Sequence, residues 1–247
     1  MRITAHRTSV ISASSETLIQ ILISNLPSIG EGSVLAITSK IVALSEGRTL
    51  PIEDIDKAAL IKQESDFYLP AQTSKYGITL TIKNGILIPT AGIDKSNALN
   101  QYVLWPSNSQ EAANKVRECL VEKFGLQNIG VIITDSKTSP LRWGTTGIAL
   151  AHSGFLALND YVGKLDLFGR PLKITRANVM DMLAVSAVGV MGEGDEQTPL
   201  AVIEDLPFVT FQQRNPSAEE LERMQINLED DLYAPILQSA NWQKGGL

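Results

Sequence analysis

A single cysteine, Cys119, stands in the 247 residues, which excludes an intramolecular disulfide framework and any zinc site built on several thiolates. Its expected place is a helical face shared with Val116, Leu120 and Phe124, where a free cysteine packs as a small apolar side chain. Histidine is almost as scarce. His6 and His152 are the only two, which leaves little room for a Ser-His-Asp triad or a His-rich zinc site. No run of about 18 apolar residues exists, so no membrane span is expected. Arg2, His6 and Arg7 interrupt the N-terminus, which lacks the apolar centre of a secretory signal, and the expected location is the cytoplasm. Positive charge is also short: 21 Lys and Arg stand against 27 Asp and Glu, for a net charge of −6. A general nucleic-acid binder needs a basic face and is excluded. Polyanionic partners must then be met locally, by metal ions, loop amides or a few lysines and arginines. The chain has no GxxxxGKS/T loop, no GxGxxG after a strand and no GxSxG elbow. It also lacks tandem repeats, low-complexity tracts and extended linkers.

What is present is apolar material, at 44% of residues. That is enough to bury a full core as one unit spanning 1–247, with room for two intimately packed subdomains. Glu16 to Asn25 has Leu18, Ile21 and Leu22 at helical spacing, with a serine cluster before it as cap and Pro27 beyond it. Val34 to Thr38 is a short apolar strand running into Ser39-Lys40-Ile41-Val42, where Ser39 can cap a following helix. Glu53 to Ser65 reads as a more charged helix. Ile78, Leu80 and Ile82 alternate with polar residues, and Asn84-Gly85 turns the chain into Ile86-Leu87-Ile88, a β-hairpin. Ser109 to Phe124 is an amphipathic helix closed by Gly125, and Ile129 to Thr134 is a buried strand. Asn178 to Val190 is an apolar helix rich in small residues. Ala201 to Ile203 and Phe208 to Phe211 are strand candidates, and Pro216 to Met224 is a polar helix. The predicted class is α+β, with mixed sheets, hairpins and packed helices.

Three acidic clusters stand at strand ends or in glycine-rich loops, none of them inside a charge run. Ala91-Gly92-Ile93-Asp94-Lys95-Ser96-Asn97 follows the hairpin and reads as an Asx turn or as a ligand loop. Ile132-Ile133-Thr134-Asp135-Ser136 places a carboxylate and a hydroxyl where a buried strand emerges, a position at which open sheets bind ligands. Met191-Gly192-Glu193-Gly194-Asp195-Glu196 follows an apolar helix, and its glycines either cap that helix or shape a binding loop. Oxygen ligands arriving from separate loops are what a hard divalent cation requires. Asp94, Asp135, Glu193 and the Ser136 hydroxyl fit magnesium or manganese, with positions left open for phosphate oxygens. His152, in Ala151-His152-Ser153-Gly154, is either structural or a substrate contact. The loop from Gly163 to Arg170 is either a surface turn holding an ion pair or an anionic-substrate clamp through Lys164 or Arg170.

Five motifs occur in a familiar order: Thr38-Ser39-Lys40 with Glu46-Gly47-Arg48; Ala91 to Asn97; Gly130-Val131-Ile132-Ile133-Thr134-Asp135; Asp166-Leu167-Phe168-Gly169-Arg170; and Met191-Gly192-Glu193-Gly194. From about residue 30 to residue 210 the chain resembles the coenzyme F420 γ-glutamyl ligase family, including bacterial relatives assigned to folate metabolism. The resemblance implies a mixed α+β fold, an intertwined homodimer, GTP or ATP as co-substrate and two divalent cations, magnesium or manganese. Carried over residue by residue, Asp94 and Asp135 would hold one cation, and Ser136 and Glu193 the other. Asp94, Asp135 and Glu193 would be the catalytic carboxylates. Ser39, Lys40 and Asn97 would contact the nucleotide, together with Met191, Gly192, Gly194, Asp195, Glu196, Gln197 and Thr198. The implied reaction makes an acyl phosphate on a substrate carboxylate, which the amine of L-glutamate attacks to form an amide. Arg142, His152, Lys164 and Arg170 are weaker substrate candidates.

The chain also departs from the family. A Leu-Pro-x-Ile-like segment of deazaflavin-directed members corresponds here to about Ser9-Val10-Ile11-Ser12. A nucleotide-contacting lysine falls on Leu44, and a second arginine after the Thr-Asp motif falls near Trp143, beside the retained Arg142. The Ser39-Lys40-Ile41-Val42 pattern with Leu44 resembles the folate-directed branch and tilts the expected acceptor slightly toward folate, with the deazaflavin precursor as the alternative. Two other classes stay open: a metal-dependent phosphohydrolase, and a nucleotide-binding regulator without catalysis. Trp105, Trp143 and Trp242 read as packing residues.

Overall fold

The computed structural model describes residues 1–13, 16–26, 28–53 and 55–246. In chain order the elements are β1 (Arg2–His6), α1 (Leu18–Asn25), β2 (Ser33–Thr38), α2 (Ser39–Ser45), β3 (Thr49–Pro51), α3 (Lys57–Glu64), β4 (Phe67–Tyr68), β5 (Leu80–Lys83), β6 (Ile86–Pro89) and β7 (Gln101–Val103). Then follow α4 (Ser109–Phe124), β8 (Ile129–Thr138), β9 (Thr145–Ser153), β10 (Leu158–Asp160), β11 (Arg176–Asn178), α5 (Val179–Met191), β12 (Leu200–Glu204), α6 (Ala218–Glu222), α7 (Ala234–Leu237) and β13 (Gln243–Lys244).

The main sheet has the order β1-β12-β2-β8-β9. Only β2 and β8 run parallel; the other neighbours in it are antiparallel. Period-2 alternation sends the two faces of these strands into two separate cores. Leu35, Ile37, Val131, Ile133, Leu200 and Val202 pack against Ile21 and Leu22 of α1 and Val116 and Leu120 of α4. Val34, Ala36, Ile132, Ala201 and Ile203 face Val179, Leu183, Ala184 and Ala187 of α5. Central strands buried on both faces must be apolar throughout, which is why β2 and the first half of β8 read as continuous apolar runs. The small residues of α5 let it lie close to the sheet: a Cβ on Gly147 of β9 would stand 2.4 Å from the Ala184 carbonyl oxygen.

A third, smaller core joins α3 to the β3–β7 ribbon and the loop after β6, through Leu60, Ile61, Ala91, Ile93, Tyr102 and Leu104. The β5–β6 hairpin belongs to a sheet of order β13-β4-β5-β6, and Asn84 and Gly85 both take positive φ, 51° and 74°, as a two-residue turn of this kind demands.

Several sequence expectations change. α1 is capped by Thr17, whose side chain accepts from Gln20 N while Gln20 answers in a capping box. Within the serine cluster expected to cap it, Ser14 and Ser15, like Pro27, lie outside the described residues. Thr38, not Ser39, holds the N-cap position of α2, without a side-chain bond. The second helix is shorter than Glu53 to Ser65, because the Asp56 side chain caps it by accepting from Ala58 N. Phe208 to Phe211 forms no strand, only an isolated bridge between Phe211 and Phe155. The polar helix contracts to α6 behind a Ser217–Glu220 capping box. Cys119 is half-buried rather than core. Among the described residues, no helix is long and apolar enough to cross a membrane.

Candidate active site

The carboxyl ends of the parallel pair β2 and β8 open into a cleft of about 960 Å3. Such strand ends are where open sheets place ligand sites, since the loops that leave them diverge. Its walls are the start of α2, the loop after β6, the polar end of β8 and the loop 191–199, with residues 8–11 at one rim.

Asp135 lies on the floor. Just before it the β8–β9 register slips: Ile133 pairs with Ala151, but Thr134 pairs with Ala149. The bulge leaves Leu150 as an extra residue, and a bulge of this kind re-aims the side chains that follow it. Asp135 Oδ1 accepts from Ser136 N at 2.8 Å, and Oδ2 accepts from the Trp105 indole Nε1. Both donors are neutral, and no lysine or arginine of the described residues lies within ion-pair distance of this carboxylate. Burial pushes its pKa up to about 6, against the Ser136 and Trp105 donors, and the Asp94 charge adds to the rise.

Asp94 sits across the cleft in a different setting. Its Oδ2 meets Lys40 Nζ at 2.6 Å and the Ser96 hydroxyl at 2.6 Å, and Oδ1 accepts from the N–H groups of Lys95 and Ser96. Burial alone would raise this carboxyl; the Lys40 ammonium and the Ser96 donors overcome it and hold the pKa at about 2. The loop that carries it is strained, because Thr90, Ala91 and Gly92 take successive positive φ values of 55°, 53° and 71°. A β-branched residue in that region is costly and persists only where the surroundings enforce it.

The third acidic group comes from the loop after α5. Glu193 Oε1 accepts from Ser136 Oγ at 2.7 Å and from Thr145 Oγ1 at 3.3 Å. The same loop is folded on itself: the Glu196 carboxylate accepts from Gly194 N and fills the space that a Cβ on Gly192 would occupy. Thr198 Oγ1 donates to Met191 O. Gln197 accepts through its side chain from the Arg7 guanidinium. Asn97 Nδ2 donates to Gly194 O at 2.9 Å, tying the Asp94 loop to the Glu193 loop.

All of Ser39, Lys40, Asp94, Asn97, Asp135, Ser136 and residues 191–198 therefore line one cleft. Four weaker candidates are elsewhere. His152 is 2% exposed, edge-on to the Phe155 ring, and burial lowers its pKa to about 4; it is a core residue, and the substrate-contact reading is set aside for it. Arg142 is exposed on the β8–β9 turn. Lys164 lies over the Tyr161 ring, and Arg170 is exposed beside it. In that loop Asp166 Oδ1 accepts from the backbone of Phe168 and Arg170, so the expected ion pair is replaced by an Asx-type turn. Among the lining residues that escape the sequence reading are Thr145, and Trp105, which as a lone tryptophan gives no local sign of its bond to a carboxylate 30 residues away.

Among the described residues, no three His, Cys, Asp or Glu side chains converge as a cage for one ion, so Asp94, Asp135 and Glu193 do not together surround a single cation. The arrangement still suits hard divalent ions that keep most of their water. The donors are carboxylate and hydroxyl oxygens, they arrive in pairs, and Asp135 carries a charge with no cationic partner, beside a second carboxylate. A cation between Asp94 and Asp135 would compete with Lys40, whereas Asp135 presents free lone pairs.

Residues 7–205 match the family described as F420-0:Gamma-glutamyl ligase. Similar proteins include the coenzyme F420:L-glutamate ligase of Methanocaldococcus jannaschii, 34% identical over 210 residues that make up 76% of this chain and 81% of that protein. The enzyme of the same name from Methanopyrus kandleri is 33% identical, over 75% of this chain and 79% of its own. That of Archaeoglobus fulgidus is 32% identical, over 75% and 80%. These relatives are named for coenzyme F420, so the tilt toward a folate acceptor is not supported, and the acceptor placed second fits better.

Proposed function

The chain belongs to the F420-0:Gamma-glutamyl ligase family, an enzyme family that forms amide bonds, and from that premise we propose that it joins L-glutamate to the carboxylate of a coenzyme F420 precursor at the expense of GTP or ATP. The observation that carries this reading is the meeting, in one cleft at the ends of β2 and β8, of the uncompensated Asp135 carboxylate with the Lys40–Asp94 pair.

The terminal phosphoryl group passes to the acceptor carboxylate, giving an acyl phosphate and a nucleoside diphosphate. The glutamate amine then attacks the acyl carbon, phosphate leaves with the bonding electrons, and the amine gives up a proton as the amide forms. Asp94 and Asp135 would hold one divalent cation, magnesium or manganese, and Ser136 and Glu193 a second. When bound, such ions neutralise charge on the phosphate oxygens. Lys40 is within reach of the same region and offers its ammonium to phosphate. Asn97 and loop 191–198 shape the wall that orients the nucleotide, and binding both reactants in one cleft supplies the proximity the reaction needs. Leu44, 6% exposed, adds apolar surface to the wall where deazaflavin-directed members place a lysine.

Homodimer formation belongs to the same proposal. Leu167 and Phe168 between β10 and β11, and Leu141 and Trp143 between β8 and β9, are 85–103% exposed, and apolar side chains this exposed favour burial against a partner. Arg142 and Arg170 lie on these same excursions, outside their own cleft, where a second copy would take them up. Leu167→Ser with Phe168→Ser is expected to yield monomers in light scattering; an unchanged mass removes this surface from the interface.

The deciding experiment incubates the protein with magnesium or manganese, GTP or ATP, and L-glutamate, with F420-0 and with tetrahydrofolate in separate reactions, and reads product mass. A glutamate adduct on F420-0, with nucleoside diphosphate and phosphate released, is expected. An adduct on tetrahydrofolate alone reverses the acceptor, AMP as product replaces acyl phosphate by adenylation, and phosphate released without glutamate indicates a hydrolase. Nucleotide binding with no turnover indicates a regulator.

A further inference from the structure

We propose that Trp105 is a positioning residue for the metal site, holding Asp135 in a fixed orientation without neutralising it. Asp94 and Asp135 are held by different means. Lys40 supplies both a bond and a positive charge to Asp94, whereas the indole supplies Asp135 with a bond and no charge. The carboxylate is thereby kept from rotating while its demand for a cation stays intact. A buried indole N–H needs some acceptor, and in most settings a carbonyl would serve. Here the acceptor is a carboxylate that the ligase reading assigns to a divalent ion.

The ring itself has almost no freedom. Trp105 is 2% exposed, and Arg48 Nε donates to its carbonyl at 3.2 Å. Lys83 lies 5.5 Å from the ring centroid. Arg48 and Lys83 are both tied to Glu64, each at 2.8 Å. On the other side Gly92 makes room for the indole: a Cβ there would fall 2.1 Å from Trp105 Nε1. Gly92 is two residues from Asp94, so the same ring contacts the Asp94 loop and the Asp135 carboxylate and sets their relative placement. Partners of this kind, one step removed from the ion, change metal affinity by roughly 10- to 100-fold when lost.

The inference rests on the assignment of Asp135 to a divalent cation, and its test separates the two. Wild-type protein labelled with 15N has three tryptophans, Trp105, Trp143 and Trp242, and Trp105→Phe identifies which indole resonance is lost. The Trp105 indole proton is expected well downfield of that of exposed Trp143, and it alone of the three should move on addition of Mg2+. Mn2+ binding, followed by the free-ion electron paramagnetic resonance signal without nucleotide, should weaken about tenfold or more in Trp105→Phe and be lost in Asp135→Asn. If Asp135→Asn loses Mn2+ but Trp105→Phe binds it as wild type does, the positioning role is overturned and the metal assignment stands. If Asp135→Asn binds Mn2+ normally, the metal assignment falls and the inference with it. Should Trp105→Phe fail to fold, the wild-type resonance, assigned by elimination from Trp143→Phe and Trp242→Phe, decides: a Trp105 indole that does not respond to Mg2+ overturns the proposal.

Discussion

The β8–β9 pair buries an ionisable side chain on each side of its bulge, Asp135 toward one end and His152 toward the other, and burial drives both toward their neutral forms. The Asp135 carboxyl is pushed up to about 6 and the His152 imidazole down to about 4. One physical cause gives opposite directions because the charged form is the base in one group and the acid in the other. What separates them is access. Asp135 keeps a face on the cleft, with two neutral donors and unused lone pairs; His152 is buried edge-on to Phe155, and the charge acting on it is that of Glu220. A displaced pKa alone would have marked both as functional. The open space beside Asp135 is what turns displacement into chemistry.

The largest effect that can break this contrast is on turnover. Asp135→Asn, and independently Glu193→Gln, are expected to lower glutamate incorporation by about a thousandfold or more, the scale on which charge stabilisation at a reacting centre acts, while unfolding stays cooperative. His152→Leu should leave incorporation within a few-fold of wild type. Normal turnover in Asp135→Asn would remove the cleft floor from the reaction.

The next effect belongs to the sealed end and appears in stability against pH. His152 has a folded pKa near 4, below its ordinary 6.5, so the unfolded chain takes up a proton in this window and the fold does not. Its contribution is complete above about pH 6.5 and disappears as pH falls to about 4, amounting to at most about 3 kcal/mol. Asp135 acts in the opposite sense over part of this range, since its folded pKa lies above its unfolded one. The difference between wild type and His152→Leu, by urea unfolding from pH 4 to pH 7 in metal-free buffer, isolates the histidine. Parallel curves would mean that the imidazole is not held neutral.

These two ends were not equally legible in the sequence. Asp135 stands after an apolar run that could only be a buried strand, and the three acidic loops could be read as ligand loops before any contact was known. α4 was readable to its ends, because an amphipathic period meets Gly125 in the left-handed conformation, φ 66°. β9 escaped notice: its ends are Thr145-Thr146 and His152-Ser153, and its bulge at Leu150 interrupts the alternation that signals a strand. Without β9, His152 stayed open between a structural role and a substrate contact. The difference between Asp94 and Asp135 was also invisible, because Lys40 and Trp105 reach them from 54 and 30 residues away.

A smaller effect probes how the cleft floor is held. Gly92 has φ 71°, and a Cβ there would meet the Trp105 ring at 2.1 Å, a rigid neighbour clamped by Arg48 and Lys83. Gly92→Ala is expected to cost about 2 kcal/mol from strain and overpacking combined, read as a lower urea midpoint with the same m-value. Gly163→Ala, where φ is 83° but no atom lies within 4 Å of the added carbon, should cost less. Equal losses would assign the cost to backbone conformation and remove the ring contact as its cause.

The smallest expected effect sharpens the difference between the two carboxylates. Lys40 Nζ is shared among Asp94 Oδ2 at 2.6 Å, Ser96 Oγ at 2.9 Å and Ser96 O at 3.1 Å. Removing it leaves Asp94, like Asp135, with neutral donors only. If Lys40 turns to phosphate when nucleotide arrives, Lys40→Met should weaken GTP or ATP binding about tenfold, the loss of one charge-assisted bond of about 1.4 kcal/mol. Calorimetric titration in metal-free buffer measures this directly. Unchanged nucleotide affinity together with tighter Mn2+ binding would assign Lys40 to Asp94 alone, as a resident cation that the metal must displace.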